Sequence, residues 1–245
     1  MTQSEYPAPK RFYTENQPRF GAPKVIMEAL EHPPIPYDPH HDDNLAHVHM
    51  AGQCARKIWY EMNTTGGLGS MPMVVGIAIH EILQDSISGL DLENVETEVV
   101  VDFRTTPPTF PIKGKADLVT PTKVIDLKTT SATGLIYRKK DRTAEQNHIL
   151  QTAIYAVRLN RPLFGIFYLE RDRFKGFAYY EYETREFVDL VAAELVRLRD
   201  VYEANSVPEP INGQGIRVLN NEEENWQCRY CDFSIRCNAV EQSRK

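Results

Sequence analysis

This 245-residue chain has only four cysteines, three of them close together near its end. Disulfides belong to oxidising compartments. The N-terminus, MTQSEYPAPKRF, lacks the apolar stretch of a secretory signal. The expectation is a cytoplasmic protein with reduced thiols. No apolar run approaches the roughly 20 residues of a membrane helix. A basic excess is also missing, since 28 Lys and Arg stand against 34 Asp and Glu, a formal net charge of -6. That excludes a uniformly cationic surface, though bulk charge does not describe a groove. Local basic clusters occur at Arg56-Lys57, at Arg138-Lys139-Lys140 with Arg142, and at Arg171, Arg173 and Lys175. Taken singly, each reads as solvated surface. No internal repeat is visible.

What is present suits a globular chain, 42% hydrophobic and 25% charged. Proline concentrates in residues 1–41, which show no period and read as an extended N-terminal arm. Residues 42–245 read as a single domain. A helix is expected from Asn44 to Met62, with Asp43 or Asn44 as N-cap. On that reading His40-His41-Asp42-Asp43 is a polar cap and not a metal site. A second helix spans 72–88, with Met73, Gly76, Ile77, His80, Leu83, Gln84 and Ile87 on one face. Strands follow at 95–103, 111–119 and 123–128, then a helix at 143–159 and strands at 164–170 and 174–182. A helix over 185–205 turns Phe187, Leu190, Val191, Leu195, Leu198 and Tyr202 to the core. This order indicates a mixed α/β chain, with a central mixed sheet flanked by helices.

The stretch GKADLVTPTKVIDLKTT, 114–130, carries the first chemistry. Side chains alternate across a strand, so Val124, Asp126 and Lys128 share a face. Asp117 opposes Asp126 if the two strands pair around the turn at Thr120–Thr122. Two close carboxylates repel, and one pKa rises unless a cation relieves them. Oxygen ligands of this kind suit Mg²⁺ or Mn²⁺. A structural Asp–Lys pair at the mouth of a hairpin is the other reading. His80 on an apolar helix face is either a satisfied core histidine or a ligand facing that hairpin. In HILQTAIYAV, His148, Gln151, Thr152 and Tyr155 form one helical stripe that is either solvated or lines a cleft.

Together these residues resemble the PD-(D/E)XK nucleases. The resemblance rests on Gly114-x-x-Asp117, Ile125-Asp126-Leu127-Lys128-Thr129, Gln151-x-x-x-Tyr155 and an upstream His80. It is to the RecB-type branch, and Ala116 stands where the family name has proline. The resemblance implies a restriction-endonuclease-like core. His80, Asp117, Asp126 and the Leu127 carbonyl would hold the metal, and Lys128 would assist the attacking water. Gln151 and Tyr155 would orient Lys128 or the DNA backbone. Glu98 is a weaker candidate for the same cleft.

Cys54, Cys228, Cys231 and Cys237 suggest one four-ligand site, the last three spaced Cys-x2-Cys-x5-Cys. Spacing alone leaves zinc and an iron–sulfur cluster open. The pattern is similar to the staple of the CRISPR-associated four-cysteine nucleases and of the AddB nuclease domain. That resemblance implies a structural [4Fe–4S] cluster closing 206–245 onto the Cys54 helix. The expected function is metal-dependent exonuclease hydrolysis of single-stranded or unwound DNA ends, in repair, recombination, CRISPR adaptation or phage DNA processing. A non-catalytic DNA-end or partner-binding module on the same fold is the alternative. Trp59, Tyr60 and Tyr155 are expected to stack on bases, with Arg138, Lys139 and Lys140 holding phosphates.

Overall fold

In KVIDLKTT, apolar and polar side chains alternate into strand β4, Lys123–Thr130. The other elements are arranged around this strand. The structure is a computed structural model describing residues 45–64, 71–88, 94–105, 109–172, 174–208, 231–233 and 236–237. Within these residues β4 pairs antiparallel with β3, Ile112–Val119, through Leu118–Ile125 and Val119–Val124. The tight turn between them is closed by Thr120, whose hydroxyl accepts the Lys123 N–H at 3.0 Å. On its other side β4 runs parallel to β5, Leu163–Glu170, in register from Lys123–Leu163 to Thr130–Glu170.

A parallel pair needs a crossover. Here it is made by helices α3, Ala132–Asp141, and α4, Gln146–Arg158. Strand β6, Phe177–Glu183, adds antiparallel to β5. Strands β1, Ala46–His47, and β2, Glu96–Asp102, both pair with β3, the first parallel and the second antiparallel. The result is a six-stranded mixed sheet ordered β1-β3-β4-β5-β6, with β2 also on β3.

Helix α4 is buried from Ile149 to Ala156. It contacts β4 and β5 on one side and α5, Val188–Tyr202, on the other. Val191, Leu195, Leu198 and Val201 of α5 complete this core. Burying each such side chain contributes roughly 1.5–3 kcal/mol. Helix α2, Met71–Ser88, packs against β4 and β2. Gly76 permits the close approach, because a Cβ there would lie 3.0 Å from Thr129 Oγ1.

Several sequence expectations fail at identifiable points. The helix expected over 44–62 is instead β1, a 3-10 turn at Val48–Met50, and helix α1, Ala55–Asn63. The break lies at Gly52, whose φ of 72 no helix accepts. Its N–H donates to Glu194 Oε1 at 2.7 Å, and a Cβ would come within 2.8 Å of the Asn147 backbone. The N-cap of α1 is Cys54, while the expected caps Asp43 and Asn44 lie outside the described residues. On α2 the inward stripe takes in Ile79, so Ile77 falls beyond its edge and is exposed. Tyr202 is likewise exposed, since the last turn of α5 has left the core.

Helix α3 has no counterpart in the sequence reading. It buries only Leu135 and so shows no apolar period. Its start is fixed by hydrogen bonds. Ser131 Oγ accepts from Gly134 N–H at 3.0 Å, and Asp172 accepts from Ala132 N–H at 2.7 Å.

Gly114 joins the two halves of the core. A Cβ at this position would sit 2.5 Å from the Tyr155 hydroxyl and 3.0 Å from Val48 Cβ. Tyr155 is 3% exposed and has no outward route. Gly114→Ala is therefore expected to lower stability by about 1–3 kcal/mol through overpacking. An unchanged urea midpoint in this variant would show that the contact is slack.

Candidate active site

The sheet is interrupted around Asp117. The β2–β3 ladder pairs Thr97 with Leu118 and Val99 with Ala116 but skips the step between them, Glu98 and Asp117. Glu98 takes a left-handed φ of 55. Such a conformation costs of order 1–3 kcal/mol for a residue with a Cβ. The β3–β4 ladder stops at Leu118–Ile125. One further step in that register brings Asp117 opposite Asp126. The carboxylates of β2, β3 and β4 thus converge where backbone pairing has lapsed.

Asp117 Oδ2 accepts the Leu127 N–H at 2.7 Å and lies 2.9 Å from His80 Nε2. His80 stands one turn beyond Gly76 on α2, so the close packing at Thr129 also delivers the imidazole. Burial disfavours the His80 cation. The Asp117 hydrogen bond and charge, helped by Asp126, outweigh it and hold the His80 pKa above its usual value.

Asp126 is 2% exposed. Lys128 Nζ lies 2.8 Å from each of its oxygens, but only the contact to Oδ1 has hydrogen-bond geometry. Oδ2 is buried with no hydrogen-bond partner. Burial pushes the Asp126 carboxyl up to about 6, and the neighbouring Asp117 charge adds to this against the pull of Lys128. Burial works against the Lys128 cation too, yet Asp126 and Asp117 hold its pKa above normal.

The donor atoms of His80, Glu98 and Asp117 lie within 4.8 Å of one another. Buried and half-buried carboxylates and an imidazole fit a hard divalent cation. Of the four expected ligands, His80 and Asp117 are in this trio, Asp126 lies beside it, and Leu127 contributes its N–H to Asp117. Glu98 takes a larger part than its sequence signal suggested. Gln84 donates to its Oε1 at 2.6 Å, and Lys115 pairs with its Oε2. The signal in the sequence was Gln84, a polar residue on the inward face of α2.

Gln151 and Tyr155 are 8% and 3% exposed, and the Tyr155 hydroxyl engages the Gln151 side chain and the Lys115 backbone. Burial, then the Asp126 and Asp117 charges, push the Tyr155 pKa far up, so the phenol stays protonated. Behind Lys128 lies a second polar group that the sequence reading did not assemble. Tyr168 Oη accepts the Glu145 N–H at 3.0 Å and meets His148 Nδ1 at 2.8 Å. Burial, with Lys128 and Arg138 nearby, keeps His148 neutral.

These contacts correct the expected DNA path. Tyr60 and Tyr155 are buried and offer no ring face to a base. Trp59 donates its indole N–H to the Ala204 carbonyl at 3.1 Å. The Arg138 guanidinium is taken up by Glu145, Thr130 and Gly134. Lys139 and Lys140 remain exposed.

Cys54, Cys231 and Cys237 carry no disulfide, and Cys228 lies outside the described residues. Cys237 Sγ accepts from Arg56 Nη1 at 3.2 Å. Burial raises the Cys231 thiol pKa, the Phe233 N–H and Lys57 oppose this, and the nearby Cys54 adds to it. A buried guanidinium donating to the Cys237 sulfur, and Cys54 close enough to act on Cys231, fit a thiolate-held metal or cluster.

A match to the PD-(D/E)XK nuclease superfamily spans residues 71–238. The CRISPR-associated exonuclease Cas4 of Saccharolobus solfataricus is 24% identical over 207 residues, covering 81% of this chain and 89% of that protein. The crystal structure of SSO0001 aligns over 91% of this chain and 98% of its own, at 22% identity and a TM-score of 0.51, a likeness of fold.

Protons and a divalent cation compete for this site. A carboxyl raised to about 6 stabilises the metal-free fold below its unfolded value, and that contribution is lost as pH rises through about 6. His80, also raised, acts in the same direction. Mn²⁺ affinity measured by calorimetry should therefore climb from about pH 5 to about pH 7.5. A flat profile would remove Asp126 and His80 from the ligand set.

Proposed function

This chain belongs to the PD-(D/E)XK nuclease superfamily, and on that footing we propose that it is a metal-dependent exonuclease cutting phosphodiester bonds at single-stranded or unwound DNA ends. The observation that carries this reading is the buried Lys128–Asp126 ion pair, set beside His80, Glu98 and Asp117, whose donor atoms lie within 4.8 Å of one another.

Nucleases of this superfamily use divalent cations. Asp117, Asp126 and His80 would hold the cation here, with Glu98 completing the carboxylate set. When bound, it supplies Lewis-acid polarisation of the phosphoryl group and acidification of the attacking water. Lys128 stays charged and offers its remaining N–H donors to that water and to the negative charge that develops on phosphorus. The Leu127 N–H fixes Asp117 in place. Tyr155 and Gln151 act through β3, holding Gly114 and Lys115 so that Asp117 and Glu98 keep their spacing. Asp126 serves both as counter-ion of Lys128 and as ligand, so a single carboxylate sets the distance between cation and ammonium.

The likeness to Cas4 makes processing of DNA ends in CRISPR adaptation the favoured role, in a cytoplasmic setting. Cys54, Cys228, Cys231 and Cys237 would hold a structural [4Fe–4S] cluster, which fits the reduced sulfurs and the Arg56 contact at Cys237. Iron and acid-labile sulfide in anaerobically purified protein, lost together in Cys231→Ser, are the expected result. Stoichiometric zinc in their place would refute the cluster.

The activity test uses end-labelled single-stranded DNA with Mn²⁺, Mg²⁺ or EDTA. Degradation should require the metal. Lys128→Ala should lower the rate by on the order of a hundred-fold or more while DNA affinity changes little. Undiminished cutting by Lys128→Ala would mean the water is activated elsewhere.

A further inference from the structure

Arg56 is 1% exposed and is the largest fully buried side chain among the described residues. It lies in the first turn of α1, directly after the N-cap Cys54 and Ala55. Its Nε donates to the Pro208 carbonyl at 2.8 Å, and its Nη1 donates to Cys237 Sγ at 3.2 Å. One guanidinium therefore spans two separate parts of the chain beyond α5. A guanidinium keeps its charge in proteins, and burying it is favoured when an anion accompanies it. When the Cys237 sulfur ligates a cluster it is a thiolate, and hydrogen bonds to ionised acceptors are roughly twice as strong as neutral ones. Two other positive features face the same sulfurs. The Lys57 charge acts on Cys231, and the N-terminal end of α1 begins at Cys54.

We propose that Arg56 is a positioning residue of the cysteine-held cluster: its N–H donation to the Cys237 sulfur raises the cluster's reduction potential, and its Nε bond to the Pro208 carbonyl holds the guanidinium in that pose. The proposal rests on the [4Fe–4S] reading above. Hydrogen bonds to the sulfurs and net charge are two of the factors that set cluster potentials. One-electron reduction adds a negative charge to the cluster. A buried cation bonded to one of its thiolates stabilises that state more than the oxidised one. Arginine suits the position better than lysine, because two nitrogens of its rigid fork serve two acceptors at once.

The experiment compares wild type, Arg56→Lys and Arg56→Gln as full-length chains purified without oxygen. Iron and sulfide are assayed, folding is checked by circular dichroism, and the potential is read by titration with dithionite, which supplies the electron. The expected order of potentials is wild type highest, Arg56→Lys between, and Arg56→Gln lowest. Cluster loss on exposure to air should run the opposite way, fastest in Arg56→Gln. A merely structural arginine would alter stability and leave the potential in place. Equal potentials in all three proteins would overturn the proposal while leaving the cluster reading intact. If neither variant folds, resonance Raman spectra of the wild type in H₂O and D₂O decide. A deuterium shift of an iron–cysteine sulfur stretch is expected, and its absence rejects the hydrogen bond. A wild type without iron or sulfide rejects the cluster reading, and this inference with it.

Discussion

The Asp117 carboxylate is where three elements meet. It sits on β3, takes the Leu127 N–H of β4 at 2.7 Å, and takes the His80 ring of α2 at 2.9 Å. A nearly buried carboxylate cannot be left without such partners, so the position of α2 over the sheet is tied to the site as firmly as to the apolar core. Gly76 makes that tie possible by letting α2 reach Thr129. The rest of the site follows from the same anchor. Lys128 and Asp126 emerge on β4 just past the point where β3 and β4 stop pairing.

The strain at Glu98 follows from the same arrangement. A regular β2–β3 ladder would make residues 98 and 117 an ordinary cross-strand pair. The chain instead places Glu98 in a left-handed conformation and drops that step of the ladder. Gln84 and Lys115 then hold the Glu98 carboxylate. The backbone gives up one rung and gains a carboxylate that reaches the His80–Asp117 pair. Strain of this kind persists only where the surroundings over-determine it, and Glu98 is held by α2 and β3 together.

Much of this was legible in the sequence, for a physical reason. Asp117, Asp126 and Lys128 lie on consecutive strands joined by a tight turn, so a period of two and one short loop suffice to bring them together. His80 was readable as inward because its helix has a regular stripe. Glu98 was only half readable, because its approach depends on a local φ that no residue pattern announces. The Arg138–Glu145–His148–Tyr168 group was not readable, since it joins residues from α3, α4 and β5 that meet only when the crossover folds back. Helix α3 escaped because a helix that buries one residue leaves no periodic trace. The aromatic residues expected to stack on DNA were misread for the opposite reason: Tyr60 and Tyr155 are core residues whose hydroxyls imitate surface chemistry.

The sulfur group and the carboxylate site are coupled by few contacts. Helix α1 carries Cys54 and Arg56, and its anchors run to the far end of the chain: Trp59 to Ala204, Arg56 to Pro208 and Cys237, and Tyr60 stacked on Phe233. The route inward runs through the segment just before α1, where Gly52 is held by Glu194 of α5 and Val48 lies against Gly114 beside Tyr155. A link between such distant segments removes more chain entropy from the unfolded state than a local one does. A group held by these cysteines would therefore stabilise the whole fold while changing the cleavage geometry only through the packing of Val48 and Tyr155 on β3. Gly114 is the position where packing from the segment before α1 meets the strand that carries Asp117.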